Sequence, residues 1–219
     1  PLLARTGYAR VALPGGCAIG QRPIDLHLKG MEALGAHVEQ TPGFVTLRGK
    51  LRGGNVYLDF PSVGATENIL MAAVLLPGIS VIHNAAREPE IVDLANFINA
   101  MGGSVRGAGS AVMTIEGVKH LHGARWTPMP DRIVAGTLLA AGAITGGTIE
   151  LTRAPVQALL AVNAKLREMG ARVTEYDDSI RVESTKRLRR ANVKTLPYPG
   201  FPTDLQQPMS ALLCTAVGT

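Results

Sequence analysis

Aromatic side chains are scarce in this sequence: one Trp, four Tyr and four Phe among 219 residues, or 4%. Binders of single-stranded nucleic acid stack bases on aromatics interleaved with basic residues. The densest basic run here, Lys186-Arg187-Leu188-Arg189-Arg190, contains no aromatic residue and reads as a solvated loop. Nucleic acid is therefore the weaker partner for the excess of 22 Lys and Arg over 17 Asp and Glu. A pocket for phosphorylated small molecules accounts for that excess as well. Charged residues make up 18% and hydrophobic residues 46%, a balance that excludes global disorder. Long apolar runs are missing too. The stretch 69–77 breaks off well before the roughly 18 residues that a membrane span needs. Two distant cysteines, Cys17 and Cys214, give neither a disulfide framework nor a zinc cluster, and point to a reducing, cytoplasmic setting. The length suffices for one or two domains with a substantial core.

Glycine, in contrast, is abundant at 25 residues, and a repeat is built around it. Leu34-Gly35-Ala36-His37-Val38 returns as Met101-Gly102-Gly103-Ser104-Val105 and as Met169-Gly170-Ala171-Arg172-Val173, at intervals of about 68 residues. Each glycine follows an amphipathic stretch (25–34, 89–101, 157–169) and precedes alternating segments. That is the pattern of a helix closed by a left-handed glycine and followed by a hairpin. The predicted strands are 37–40 with 45–48, 104–106 with 112–116, and 172–175 with 180–183. A second set of helices, 62–76, 131–144 and 203–217, is apolar and Ala-rich, with a capping residue in front of each. Thr203 followed by Gln206 fits a capping box. The first two of these helices lead into predicted strands 79–83 and 148–152. One unit is thus helix, strand, helix, strand, strand, complete at 62–123 and 131–184, partial at 20–60, and reduced to its first helix at 203–219. The chain begins at Pro1 rather than Met and stops where a strand is due, which reads as the middle of a longer protein. The stretch 126–130, with two prolines, is the expected interdomain boundary.

The strongest chemical signal is the segment 14–23, Pro14-Gly15-Gly16-Cys17-Ala18-Ile19-Gly20-Gln21-Arg22-Pro23. Three glycines and two prolines around one thiol describe a surface loop. Arg22 would attract an anionic substrate and favour the thiolate of Cys17. Cys214 lies in the apolar run 211–217 and reads as a buried, inert thiol.

The run from Leu13 to His27 closely resembles the catalytic loop of the UDP-N-acetylglucosamine enolpyruvyl transferases. The resemblance continues, in order, through Ser62-Val63-Gly64-Ala65-Thr66-Glu67, Ala85-Ala86-Arg87-Glu88-Pro89-Glu90-Ile91-Val92-Asp93, Pro130-Asp131-Arg132-Ile133 and Phe201-Pro202-Thr203-Asp204. It implies an α/β fold of two inside-out barrels built from the units counted above. Residues 1–128 would then belong to one barrel, carrying the catalytic loop 14–23, and 129–219 to the second. Each barrel would be incomplete.

The implied reaction moves enolpyruvate from phosphoenolpyruvate to the 3′-hydroxyl of UDP-N-acetylglucosamine and releases phosphate, the first committed step of peptidoglycan synthesis. It implies no metal and no organic cofactor. Cys17 matches the family's proton donor, the target of fosfomycin, and Arg22 a ligand of phosphate and phosphoenolpyruvate. Asp204 matches the residue that contacts the sugar hydroxyl and is the candidate base. The nucleotide site is expected to use Arg22, Pro23, Ile24, Asp25 and Leu26, with Ser62, Val63 and Gly64 at a helix start suited to an anion. Phe60-Pro61 stand where some members carry a lysine, so one phosphate contact is expected to be absent. Arg87, Glu88, Glu90, Asp131 and Arg132 are expected near the cleft, each chiefly as an ion-pair member. His27 and His83 read as surface or supporting residues. The sister transferase of the shikimate pathway lacks the Gly-Gly-Cys loop, which sets Cys17 against that alternative. The family's Lys-Asn pair and C-terminal arginines find no match in these 219 residues, so the chain alone is expected not to turn over.

Overall fold

The computed structural model describes residues 1–15, 23–184 and 187–218. The chain opens with α1 (Leu2–Thr6), β1 (Tyr8–Ala12), α2 (Asp25–Ala33), a hairpin of β2 (His37–Thr41) and β3 (Phe44–Arg48), and β4 (Asn55–Tyr57). It continues with α3 (Val63–Ala73), β5 (Ile79–His83), α4 (Pro89–Ala100), and a second hairpin of β6 (Ser104–Arg106) and β7 (Val112–Glu116). Then come α5 (Arg132–Ile144), β8 (Thr148–Thr152), a 3₁₀ turn at Val156–Leu159 running into α6 (Leu160–Glu168), and the hairpin β9 (Arg172–Glu175) and β10 (Ser179–Glu183). A 3₁₀ turn at Thr203–Leu205 leads into α7 (Gln206–Cys214).

The repeat seen in the sequence is a repeat of structure. Gly35, Gly102 and Gly170 have φ of 101°, 90° and 98°, a conformation that a Cβ would penalise. Each ends its helix in the same way. The glycine N–H donates to the carbonyl three residues back, of Glu32, Asn99 or Arg167. The next N–H, of Ala36, Gly103 or Ala171, donates to the carbonyl five back, of Met31, Ile98 or Leu166. This paired arrangement is the Schellman motif, and it turns the chain directly into a strand. Each unit then forms an antiparallel sheet with its last strand in the middle: β1-β3-β2, β5-β7-β6 and β8-β10-β9. β4 extends the second of these, pairing parallel with β5. The registers put Ile82 opposite Met113 and Val182 opposite Val173, so that one face of each sheet is apolar.

Two compact units result, Pro1–Thr127 and Pro128–Thr219. The core of the first includes Leu34, Leu58, Ile69, Leu70, Ile82, Ile91, Met113 and Ile115. That of the second includes Leu139, Leu159, Leu166, Met169, Ile180 and Val182. Fully burying such a side chain contributes about 1.5–3 kcal/mol. Among the described residues no helix is long and apolar enough to cross a membrane.

Two local expectations are corrected. Thr203 does not cap a helix. Pro202 precedes the 3₁₀ turn, no side chain caps it, and the α-helix starts only at Gln206. Cys214 is the last residue of α7 and is exposed, because the helix stops there rather than at 217. α1, β1 and β4 are elements that the repeat pattern did not predict.

Candidate active-site elements

Of the residues expected to bind the nucleotide, two groups lie in the first unit, at the starts of α2 and α3. The two helices approach closely because Gly30 of α2 has no side chain. A Cβ there would collide with Ile69 of α3. Ile24, Leu26 and Val63 pack against the core of this unit and fix the backbone around them. Pro23 and Asp25 stay exposed, with Asp25 in the first turn of α2.

At the head of α3, Ser62 is the N-cap, its Oγ accepting from the Ala65 N–H at 3.3 Å. The N–H groups of Val63 and Gly64 have no acceptor within the helix and carry the positive end of its dipole. This is a place for an anion. Gly64 is exposed, and a Cβ on it would lie 3.5 and 3.6 Å from Cε1 and Nε2 of His27. One turn further, Asn68 meets Nδ1 of the same ring at 3.0 Å. The two predicted segments, 23–26 and 62–64, are thus joined by the His27 ring. Burial lowers the His27 pKa, and the nearby Asp25 offsets this in part.

Thr66 joins a third segment. Its Oγ1 donates to the Ser62 carbonyl at 2.7 Å and accepts from the buried Ala86 N–H at 3.0 Å. Asn84, with φ of 55°, donates from Nδ2 to the Leu58 carbonyl. The loop that carries exposed Arg87 and buried Glu88 is thereby tied to the start of α3. Glu67 is half-buried, and its pKa is raised by desolvation first and by Glu90 and Glu88 next. His27, read from the sequence as a surface or supporting residue, takes the supporting place between the expected segments, and Thr66 and Asn68, which the sequence reading did not select, tie those segments together. The signal for them was the four-residue spacing Ser62–Thr66 and Gly64–Asn68, which puts each pair on one helix face.

Asp204 lies in the second unit, exposed in the first turn of the 3₁₀ segment. Its neighbour Leu205 is buried in the space left by Gly136 of α5, where a Cβ would collide with it. Asp131 is the N-cap of α5. Its Oδ1 accepts from the N–H groups of Ile133 and Val134 at 2.7 and 3.1 Å. Arg132 is buried. Cys17 and Arg22 lie outside the described residues. The second unit also holds a cavity of about 460 Å³ at the C-terminal end of α5, lined by Ile144, Thr145, Arg187 and Cys214 among others. None of the expected site residues that the structure describes lines it. Among the described residues no three His, Cys, Asp or Glu side chains are grouped to hold a metal ion.

The sequence profile of EPSP synthase (3-phosphoshikimate 1-carboxyvinyltransferase) matches residues 1–219, the whole chain. The chain belongs to the EPSP synthase family. Within it, the chain is 54% identical over 220 residues to UDP-N-acetylglucosamine 1-carboxyvinyltransferase 1 of Caldanaerobacter subterraneus subsp. tengcongensis, covering 100% of this chain and 53% of that protein. It is 56% and 57% identical, over 221 residues each, to the proteins of the same name from Halalkalibacterium halodurans and Symbiobacterium thermophilum. Both matches cover 100% of this chain and 50% of the relative. The chain therefore spans about half the length of the curated relatives it matches. Its fold is that of enolpyruvyl transferases. The crystal structure of the enolpyruvyl transferase NikO from Streptomyces tendae matches with a TM-score of 0.80 at 23% identity, over 99% of this chain and 53% of that one. EPSP synthase from Acinetobacter baumannii matches with a TM-score of 0.57 at 20% identity, over 94% of this chain and 47% of that one.

Proposed function

We propose that this chain is the central part of an enzyme that transfers enolpyruvate from phosphoenolpyruvate to the 3′-hydroxyl of UDP-N-acetylglucosamine, releasing phosphate, in peptidoglycan synthesis. The observation that carries the reading is identity of 54–57% along the entire chain to proteins named for this reaction. In this reading Cys17 donates a proton to the methylene carbon of phosphoenolpyruvate, leaving C2 electron-poor. The sugar O3′ bonds to C2 as Asp204 takes its proton. The C2–O bond to phosphate then breaks, and loss of a proton from the methyl group restores the double bond. Arg22 neutralises charge on the phosphate that leaves, a task suited to a planar guanidinium. Pro23, Ile24, Asp25 and Leu26 hold the uridine, and the amides of Val63 and Gly64, with Ser62 as cap, receive the diphosphate. The division at Thr127 and Pro128 corresponds, in this reading, to parts of the two barrels of the family. Both substrates are small phosphorylated metabolites, which goes with a cytoplasmic location.

Thermal unfolding of the chain with and without UDP-N-acetylglucosamine tests the reading. Stabilisation by this nucleotide sugar, and none by shikimate 3-phosphate, is the expected result. Stabilisation by shikimate 3-phosphate alone would overturn it in favour of the sister reaction. Ligation to the native state alone at a hundred times Kd contributes about 2.7 kcal/mol, an effect easily read as a shift in Tm.

A further inference from the structure

Two residues of α3 bracket the ring of His27. Nε2 lies beside Gly64, 3.6 Å from where a Cβ would project, and Nδ1 lies 3.0 Å from the Asn68 side-chain nitrogen. An amide NH₂ group only donates, so Nδ1 must present its lone pair. In that arrangement a neutral imidazole carries its single N–H on Nε2. Nε2 faces the first turn of α3, where the Val63 and Gly64 amides have no helical acceptor.

We propose that Asn68 is a positioning residue. It fixes His27 in the Nε2–H form, so that this ring N–H joins the Val63 and Gly64 amides as a third donor to the diphosphate of the nucleotide sugar. The inference rests on the functional reading above, in which the head of α3 receives that diphosphate. The lowered His27 pKa, caused by burial, agrees with a neutral ring. A donor fixed before the ligand arrives costs no reorganisation on binding. A Cβ at residue 64 would sit in ordinary contact with the Cε1–Nε2 edge of the ring, so this edge lies against the first turn of α3.

Two measurements test it. Imidazole ¹⁵N spectra of the chain should show a bare Nδ1 and a protonated Nε2 for His27. Asn68→Asp, close in shape but only an acceptor when ionised, should move the proton to Nδ1. Calorimetric titration with UDP-N-acetylglucosamine at neutral pH then reads the consequence. Asn68→Ala and His27→Ala should each weaken binding about tenfold, as expected for one hydrogen bond to a charged group. The double variant should bind no more weakly than His27→Ala alone, because Asn68 acts only through the ring. Additive losses, or a ring protonated on Nδ1 in the unsubstituted chain, would overturn the inference. Failure of the unsubstituted chain to bind the nucleotide sugar at all would overturn the functional reading instead. The shape-conserving Asn68→Asp keeps the spectroscopic arm decisive if Asn68→Ala does not fold.

Discussion

Ser62, the cap of α3, and Glu67 within the helix stand five positions apart, and their side chains affect stability in opposite directions. The Ser62 hydroxyl satisfies an amide that the helix cannot, so Ser62→Ala should cost about 1 kcal/mol in urea unfolding. Glu67 is a liability when charged, since desolvation and the nearby Glu90 and Glu88 raise its pKa. A carboxyl group whose pKa is raised on folding stabilises the fold while protonated, and that stability is lost as pH rises through the folded pKa. Glu67→Gln should therefore raise Tm near pH 7. Below about pH 4, where the unfolded glutamate is protonated as well, variant and parent should melt alike. A Tm advantage that persists into acid would show that the effect is not electrostatic.

Helix contact at a missing side chain recurs at the next scale. Gly30 lets α2 approach α3, and Gly136 lets Leu205 settle on α5. In a free helix alanine is favoured over glycine by about 1 kcal/mol. Overpacking a closed contact costs about 1–3 kcal/mol, so the steric term wins wherever the neighbour cannot retreat. Leu205 is buried, which leaves its side chain little room to retreat. Gly136→Ala should destabilise the second unit by about 1–2 kcal/mol net, seen as a lower urea midpoint. An unchanged or higher midpoint would mean that Leu205 repacks freely. The same substitution should disturb Asp204, the residue next to Leu205, and so weaken the proposed contact with the sugar hydroxyl.

For the molecule as a whole, the two units have separate cores. The single tryptophan, Trp126, belongs to the first, where its ring lies 5.9 Å from Phe97 and its Nε1 donates to Asp93 at 3.4 Å. Its fluorescence therefore reports on one unit, whereas far-UV circular dichroism reports on both. The expected result is that the fluorescence melt follows one transition and the dichroism melt two. Gly136→Ala should shift only the transition that fluorescence does not see. Coincident melts by both probes would mean that the two units unfold together.

The order of elements was legible in the sequence because each unit is closed by the same local device. A glycine that alone tolerates φ near 90–101° ends three helices, and alternation over four or five residues marks the strands that follow. Both signals act within a few residues of chain, so they survive without tertiary context. α1, β1 and β4 were not legible: at three to five residues they carry too few periods to stand out alone, and, unlike the equally short β6, they follow none of the repeated glycines. The site divides in the same way. Ser62, Val63 and Gly64 were selected through the family resemblance, and a cap followed by a helix, written in adjacent residues, agreed with that choice. That Gly64 and Asn68 enclose a histidine on another helix, and that Thr66 fastens the loop bearing Arg87, could not be read in this way. Those contacts span 20 to 41 residues. The first exists because Gly30 lets α2 come within reach of α3, the second because α3 and the loop after β5 pack beside each other; packing decides both and no local pattern announces either.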